Sequence, residues 1–288
     1  MTTDFKVFFD NESASEEELN QITEIVIEQE VDMAWEAKVK IPITIDQDGN
    51  WYTDKDFINM FSRIRIEVKI DENPYVALID GPIVGYEHSM STEPGQSYLI
   101  LKVQDDSIFL NREEKIEIFE NTQILQIATQ VFQNIPEINS TDIPATQDDP
   151  NLQVIVQRGS DIQFLRSLAK THGVHAYVLP GNFPNQSIGC FKPFPTQTDG
   201  LIPFVLLGEN RNIASFRVIN DGQRPSEFSV SKIDDTNKKT LTYNASFTES
   251  KLLGINPTLS EDSSKSLQLL EPWKTTQFTL EHQLKQKQ

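Results

Sequence analysis

Apolar and polar residues alternate through much of the first 120 positions. Phe5–Phe9, Ile22–Glu28, Ala34–Ile41, Ile64–Ile70, Tyr75–Ile79, Ile83–Tyr86, Tyr98–Val103 and Lys115–Phe119 each follow or approach a period of two. That period puts successive side chains on opposite faces and predicts half-buried β-strands. Asp-Glu-Asn-Pro before Tyr75, Asp80-Gly81-Pro82 and Glu93-Pro94-Gly95 read as the intervening turns, a spacing that suggests a sandwich or barrel.

The period changes in the middle of the chain. Between Asn121 and Phe132, Ile124, Ile127, Ala128 and Val131 recur at i, i+3, i+4 and i+7, which predicts a helix capped by Asn121 or Thr122. A polar connector follows, with Pro136, Pro144, Asp148, Asp149 and Pro150. Ser160-Asp161-Ile162-Gln163 then has the layout of a capping box, and Ile162, Leu165, Leu168 and Ala169 form the stripe of a second helix that Gly173 would end. Val174–Leu179, Ser187–Phe191, Pro203–Leu207, Ser215–Ile219 and Glu227–Ser231 return to strand character, and after Asn256 no period is strong. The order is β-rich, two helices, β-rich, with no short tandem repeat.

Length and composition fit that reading. The chain has 288 residues, 38% hydrophobic and 24% charged, which is a globular balance with room for two domains. Its 25 Lys and Arg against 43 Asp and Glu give a net charge of −18, which opposes broad nucleic-acid binding because phosphate contacts draw on basic side chains. The longest apolar candidate, Leu201–Leu207, is too short for a membrane helix, and the acidic N-terminus lacks a signal-peptide layout, so a soluble, unprocessed chain with no integral membrane segment is expected. Cys190 is the single cysteine, so no intrachain disulfide forms, and with no zinc partner in sequence it reads as a packed thiol.

Catalytic and metal signatures are sparse. The sequence has no phosphate loop, GxGxxG, HExxH, CxxC or GxSxG. His172 and His175 straddle the helix stop at Gly173 and share no helical face, so they read as a helix-end and a strand histidine, not metal ligands. Asp105-Asp106, Asp148-Asp149 and Asp234-Asp235 are acidic neighbours of the kind found in turns. The Asp234–Lys239 run reads as a hairpin turn without the Gly and Glu of a calcium loop. Trp35, Trp51 and Trp273 read as buried or interface anchors in preference to sugar platforms. No cofactor, metal or catalytic residue is expected.

One charge run is less ordinary. Ten acidic residues and no basic one lie between Val7 and Ala37, and Glu24, Glu28 and Glu30 fall among them. Two readings stand: a solvated face, or the lining of a channel whose like charge keeps anionic cargo from sticking.

The segment Val156–Val178 resembles the "Q-x-x-S-D-x-x-F-L-x-x-L-A-x-x-x-G" signature of the phage late control protein D family, through Gln157, Ser160, Asp161, Phe164, Leu165, Leu168, Ala169 and Gly173. Leu110–Ala128 looks like the family's "D-x-x-x-x-L-x-R … T-x-x-x-I-x-x-I-A" passage. Ile79–Val84 looks like its "F-x-G-x-I" hairpin, and Pro225–Lys239 its strand and "D-x-x-T-x-K" turn. The family includes baseplate hub proteins of contractile-tailed phages and the hub portion of VgrG spike proteins. The resemblance runs from about Trp35 to about Leu241 and carries no catalytic residue over.

What it implies is a mainly β fold with an α+β insert, in which two tail-tube-type β-barrel domains flank a two-helix segment. On that plan residues 1–120 form a first barrel, 121–178 a connector, 179–256 the second barrel strands and 257–288 a C-terminal tail. The implied function is a non-enzymatic structural hub of a phage tail or contractile injection system, made in the cytoplasm. It would be a homotrimer forming a pseudo-sixfold adaptor between the inner tube protein and a separate spike protein, beside other baseplate proteins and without direct nucleic-acid binding. Because the chain stops at Gln288, hub and spike are expected to be separate chains, with Leu267, Leu269, Leu270, Trp273 and Phe278 as spike-docking residues. A stand-alone carbohydrate- or receptor-binding β-protein is the alternative, and a peptidoglycan hydrolase a third reading.

Overall fold

Alternation in the first third of the chain builds one seven-stranded sheet. A computed structural model describes residues 2–30, 32–43, 58–93, 95–144, 154–193, 203–217, 227–233, 238–246 and 266–269. The sheet comprises β1 (Thr3–Phe9), β2 (Glu12–Ser13), β3 (Glu24–Glu28), β4 (Glu36–Pro42), β5 (Arg63–Ile70), β6 (Val76–Ser89) and β7 (Tyr98–Gln104). Their order is β2-β1-β5-β6-β7-β4-β3, antiparallel throughout, and the sheet curls into a half-barrel. Val7, Val39, Ile41, Ile64, Ile66, Ile79, Ile83, Leu99, Leu101 and Val103 fill its inner face with almost no exposure. Period two explains this core directly, since each strand sends alternate residues inward.

Two local features differ from the sequence expectation. Asp80-Gly81-Pro82 is not a turn, because β6 runs unbroken for 14 residues through it. A Cβ on Gly81 would come 1.8 Å from the Gln104 carbonyl oxygen, so the glycine serves close strand approach and not chain reversal. Ahead of β3, the acidic run folds as helix α1 (Glu16–Gln21), so the strand predicted from Ile22 starts at Glu24. Ser15 caps α1 reciprocally: its hydroxyl accepts from Glu18 N–H, and Glu18 Oε2 accepts from Ser15 N at 2.7 Å.

After β7, a 3-10 helix (Asp106–Asn111) leads to β8 (Glu114–Phe119), which pairs antiparallel with β10 (Ile155–Ser160) as a two-stranded ribbon. Helix α2 (Ile124–Gln133) begins at an N-cap Gln123 without a side-chain cap, not at Asn121 or Thr122; the Thr122 hydroxyl donates to Glu120 O instead. The connector contains a strand the sequence did not suggest, β9 (Ile138–Asp142), parallel to β12 (Ser187–Lys192), which pairs antiparallel with β11 (His175–Pro180). Helix α3 (Asp161–His172) buries Ile162, Phe164, Leu165, Leu168 and Ala169, with Phe164 stacked on Phe119 at 5.6 Å between ring centroids.

The chain divides into two compact units, residues 1–169 with 175–192, and 170–174 with 193–288. In the second, β13 (Glu227–Ile233) pairs antiparallel with β14 (Thr240–Ser246) and parallel with β15 (Ser266–Leu269). Residues 203–207, predicted as a strand, are instead part of a loop that the Asn212 side chain closes, accepting from Val205 N at 2.7 Å and donating to Pro203 O at 2.9 Å. Of the strand predicted at 215–219, residues 215–217 are not in a strand and the rest lie outside the described residues. The fold is mainly β with a small helical part, and no described helix is long and apolar enough to cross a membrane.

Candidate functional site

Strand β5 sends Ile64 and Ile66 into the core, so Arg63, Arg65 and Glu67 share the opposite face. That face is covered too. Arg65 stands across the ladder from Asp80 of β6, and the β11–β12 loop lies over both. Arg65 Nη1 donates to Asp80 Oδ2 at 3.1 Å, Nε to Glu67 Oε1 at 2.7 Å and Nη2 to the Gly181 carbonyl at 2.8 Å. It also reaches Phe183 O at 3.2 Å, while Asp80 Oδ2 accepts from Asn185 N at 3.0 Å. Three bonds to backbone, one buried and two half-buried, thus grip one loop, and Phe183 at its tip turns its ring to solvent.

Arg63 completes the cluster from the 3-10 helix side. Its Nη1 and Nη2 donate to the two oxygens of Asp106, and Nη2 also donates to Asp80 Oδ1 at 2.8 Å. Burial opposes the charge of Arg63, but hydrogen bonds and attraction from Asp106 and Asp80 outweigh it and raise its pKa. Ser187 Oγ of β12 donates to Asp106 Oδ2 at 2.6 Å. The cluster therefore joins β5, β6, the 3-10 helix and β12 through charge and not through apolar packing. Such buried pairs add little net stability over apolar packing, but they penalise every misregistered arrangement that strands a charge.

Asp105 sits beside this clasp. It caps the 3-10 helix by accepting from Ser107 N at 2.8 Å, and it accepts from Trp35 N at 2.6 Å. Burial pushes its pKa up to about 6 despite both donors. A second polar group lies under the ribbon: Asp161 accepts from Lys115 at 2.7 Å and Gln157 at 2.6 Å. Ser160 ends β10 immediately before α3, and its hydroxyl donates to Asn111 Oδ1 at 2.8 Å.

The sequence-derived residues are dispersed. Glu24 and Glu28 lie exposed on the outward face of the edge strand β3, where Lys40 and Lys38 of β4 are close. Lys38 donates to Glu28 at 3.1 Å, and that hydrogen bond raises the lysine pKa. Glu30 is exposed beyond the strand end. Leu267 and Leu269 belong to β15, while Leu270, Trp51, Trp273, Phe278, Asp148, Asp149, Asp234 and Asp235 lie outside the described residues. His172 ends α3, and His175 lies 3.5 Å from Asp32. Cys190 is buried in β12, its thiol pushed up to about 11 by burial. Among the described residues, no group of three His, Cys, Asp or Glu is placed to hold a metal ion.

Sequence reasoning saw Asp105-Asp106 only as a turn-type pair and missed Arg63, Arg65, Asp80 and Ser187. Strand β5 reads as an ordinary half-buried strand, with Arg63, Arg65, Glu67 and Lys69 on what alternation marks as its solvent face, so the sequence carried no local sign that this face is covered.

No protein-family model matches the sequence, and no curated protein matches it. Solved structures do. The chain is similar to a 43 kDa tail protein of prophage MuSo2 from Shewanella oneidensis, with a TM-score of 0.60 and 15% identity over 96% of this chain and 75% of that one. It is similar to a tail protein from Neisseria meningitidis MC58, with a TM-score of 0.54 and 16% identity over 88% and 69%. Prophage tail protein gp18 from Listeria monocytogenes EGD-e gives 0.52 and 12% over 92% and 71%. The fold is thus one that phage tail proteins use.

Proposed function

We propose that this chain is a structural baseplate hub of a contractile phage tail or contractile injection system. Three copies form a pseudo-sixfold adaptor between the inner tube and a separate spike, beside other baseplate proteins, and the chain performs no catalysis. The observation that carries this is the likeness to phage tail proteins along almost the whole chain. The buried clasp supports it, because its charged groups are spent on one another and on a loop backbone instead of facing an open cleft. A hub transmits geometry between rings, and a clasp that fixes one register suits that task.

Within this reading, the stretch from β15 onward, with Leu267, Leu269, Leu270, Trp273 and Phe278, docks the spike. Glu24, Glu28 and Glu30 line the lumen; nearby Lys38 and Lys40 would temper the charge of Glu24 and Glu28 there.

The test is the solution mass of the purified chain by light scattering, alone and with its candidate spike and inner tube proteins. A mass about three times the 32.8 kDa chain, alone or on adding the spike, is expected. A chain that stays monomeric with both partners overturns the hub and leaves a stand-alone binding protein.

A further inference from the structure

The β8–β10 ribbon has one satisfied face and one bare one. Inward, Phe119 stacks on Phe164 and Lys115 and Gln157 bond to Asp161. Outward, Glu114, Ile116 and Ile118 of β8 stand beside Val154, which precedes β10, and Val156 and Arg158. Ile116 is 80% exposed, Ile118 59%, Val154 63% and Val156 42%, an unusual outlay of β-branched apolar side chains in a chain of charge −18. Neither long edge of the ribbon pairs with another strand among the described residues. Two usual protections of an open edge are missing as well: there is no proline in either strand, and Lys115, the one lysine, is turned inward to Asp161.

We propose that this ribbon joins a second copy of the chain, the β10 edge of one copy pairing antiparallel with the β8 edge of the next. Charge complementarity selects that occupant. Strand β8 carries Glu114, Lys115 and Glu117 and is net negative, whereas β10 carries Arg158 alone and is positive. In an antiparallel register, Val154 stands opposite Ile118 of the second copy, Val156 opposite its Ile116, and Arg158 opposite its Glu114. All three pairs fall on the bare face, so one register covers the apolar stripe and closes an ion pair at its end. Joining two β8 edges sets net negative strands together, and joining two β10 edges about Val156 places Arg158 against Val154. Because each copy offers one edge of each kind, the contact is head-to-tail, and closure into a ring rests on the rotation between copies. The number of copies in that ring rests on the trimeric reading above; the edge pairing does not.

The experiment is sedimentation velocity of the full chain over a concentration series, with melting curves confirming that each variant folds. Arg158→Glu and Glu114→Arg are each expected to weaken self-association about tenfold, and the double exchange to restore it to within about threefold. Ile116→Lys, at a position exposed in the single chain, is expected to weaken it by a similar factor without lowering the melting temperature. If the wild type assembles and every variant assembles equally well, the ribbon contact is wrong while the hub stands. If the wild type stays monomeric throughout, the ribbon contact is overturned, and the hub reading then rests on assembly with the spike.

Discussion

Arg63 and Asp106 meet through two parallel N–H···O bonds, Nη1 to Oδ1 at 2.8 Å and Nη2 to Oδ2 at 2.9 Å, with the carboxylate side chain fully buried. They lie 43 residues apart, so this fork ties β5 to the 3-10 helix. Removing Asp106 leaves the buried Arg63 with Asp80 alone, a carboxylate it already shares with Arg65, and strips Ser187 of its acceptor. Asp106→Ala is expected to cost about 3–5 kcal/mol, and Arg63→Met with Asp106→Leu about half of that or less. Urea unfolding checks it; a double variant as unstable as the single one would show that geometry, not uncompensated charge, sets the cost.

Burial raises the pKa of Asp105, and that of neighbouring Asp106 in the same direction, so this region loses stability as pH rises. The folded pKa of Asp105, about 6, lies above the ordinary 3.8, so ionisation is harder in the folded chain. Below the unfolded value both states are protonated and nothing is lost. Between about 4 and 6 the folded state loses stability as pH rises, reaching a loss of about 3 kcal/mol that stays constant above. Asp105→Asn cannot titrate, but it replaces one acceptor facing Trp35 N or Ser107 N with a donor, so it is less stable at pH 5. The gap between wild type and variant is expected to narrow by about 1–2 kcal/mol from pH 5 to pH 8. Parallel stability curves would rule out Asp105 as the titrating group.

Those carboxylates also show where sequence reading stopped. Strands β1, β4, β5 and β7 were legible because their partners lie in the core and period two reports the core. Helix α3 was legible for the same reason at a period of 3.6, although the bond from Ser160 to Asn111, far away in sequence, was not. Helix α1 carried a readable signal, Ser15 three residues before Glu18, that strand-like Ile22–Glu28 overshadowed. Strand β9 gave no local signal, because Asn139 and Asp142 disfavour strands where Thr141 favours them, and pairing with β12 decides their state. The clasp was invisible for a stronger reason: Arg65 bonds to Gly181 across 116 positions, and no periodicity encodes a partner.

Gly189 marks a packing contact as tight as the clasp. A Cβ there would lie 2.4 Å from the ring of Phe132, a side chain with no exposure. Gly189→Ala is therefore expected to cost about 1–3 kcal/mol by overpacking. Phe132→Leu opens space at that ring but loses packing of its own, so the two changes together should cost less than the sum of the two singly. Additive losses in a double-mutant cycle would show that the strand moves away from α2 instead of pressing on Phe132.

Cys190 offers a direct clock for opening of β12, which links β11 on one side to β9 on the other. Its thiol is fully buried and burial pushes it up to about 11, so at pH 8 the folded chain holds well under about 1% as thiolate. Reaction with a thiol reagent then requires the sheet to open, and the rate is expected to follow the stability of this unit, not reagent access. Asp106→Ala, which releases Ser187 at the start of the same strand, should speed labelling as far as it lowers stability, about a hundredfold or more for 3 kcal/mol. Ile116→Lys, on the exposed ribbon face, should leave the rate unchanged. Equal rates in the wild type and Asp106→Ala would show that Cys190 reacts by a local motion that bypasses the clasp.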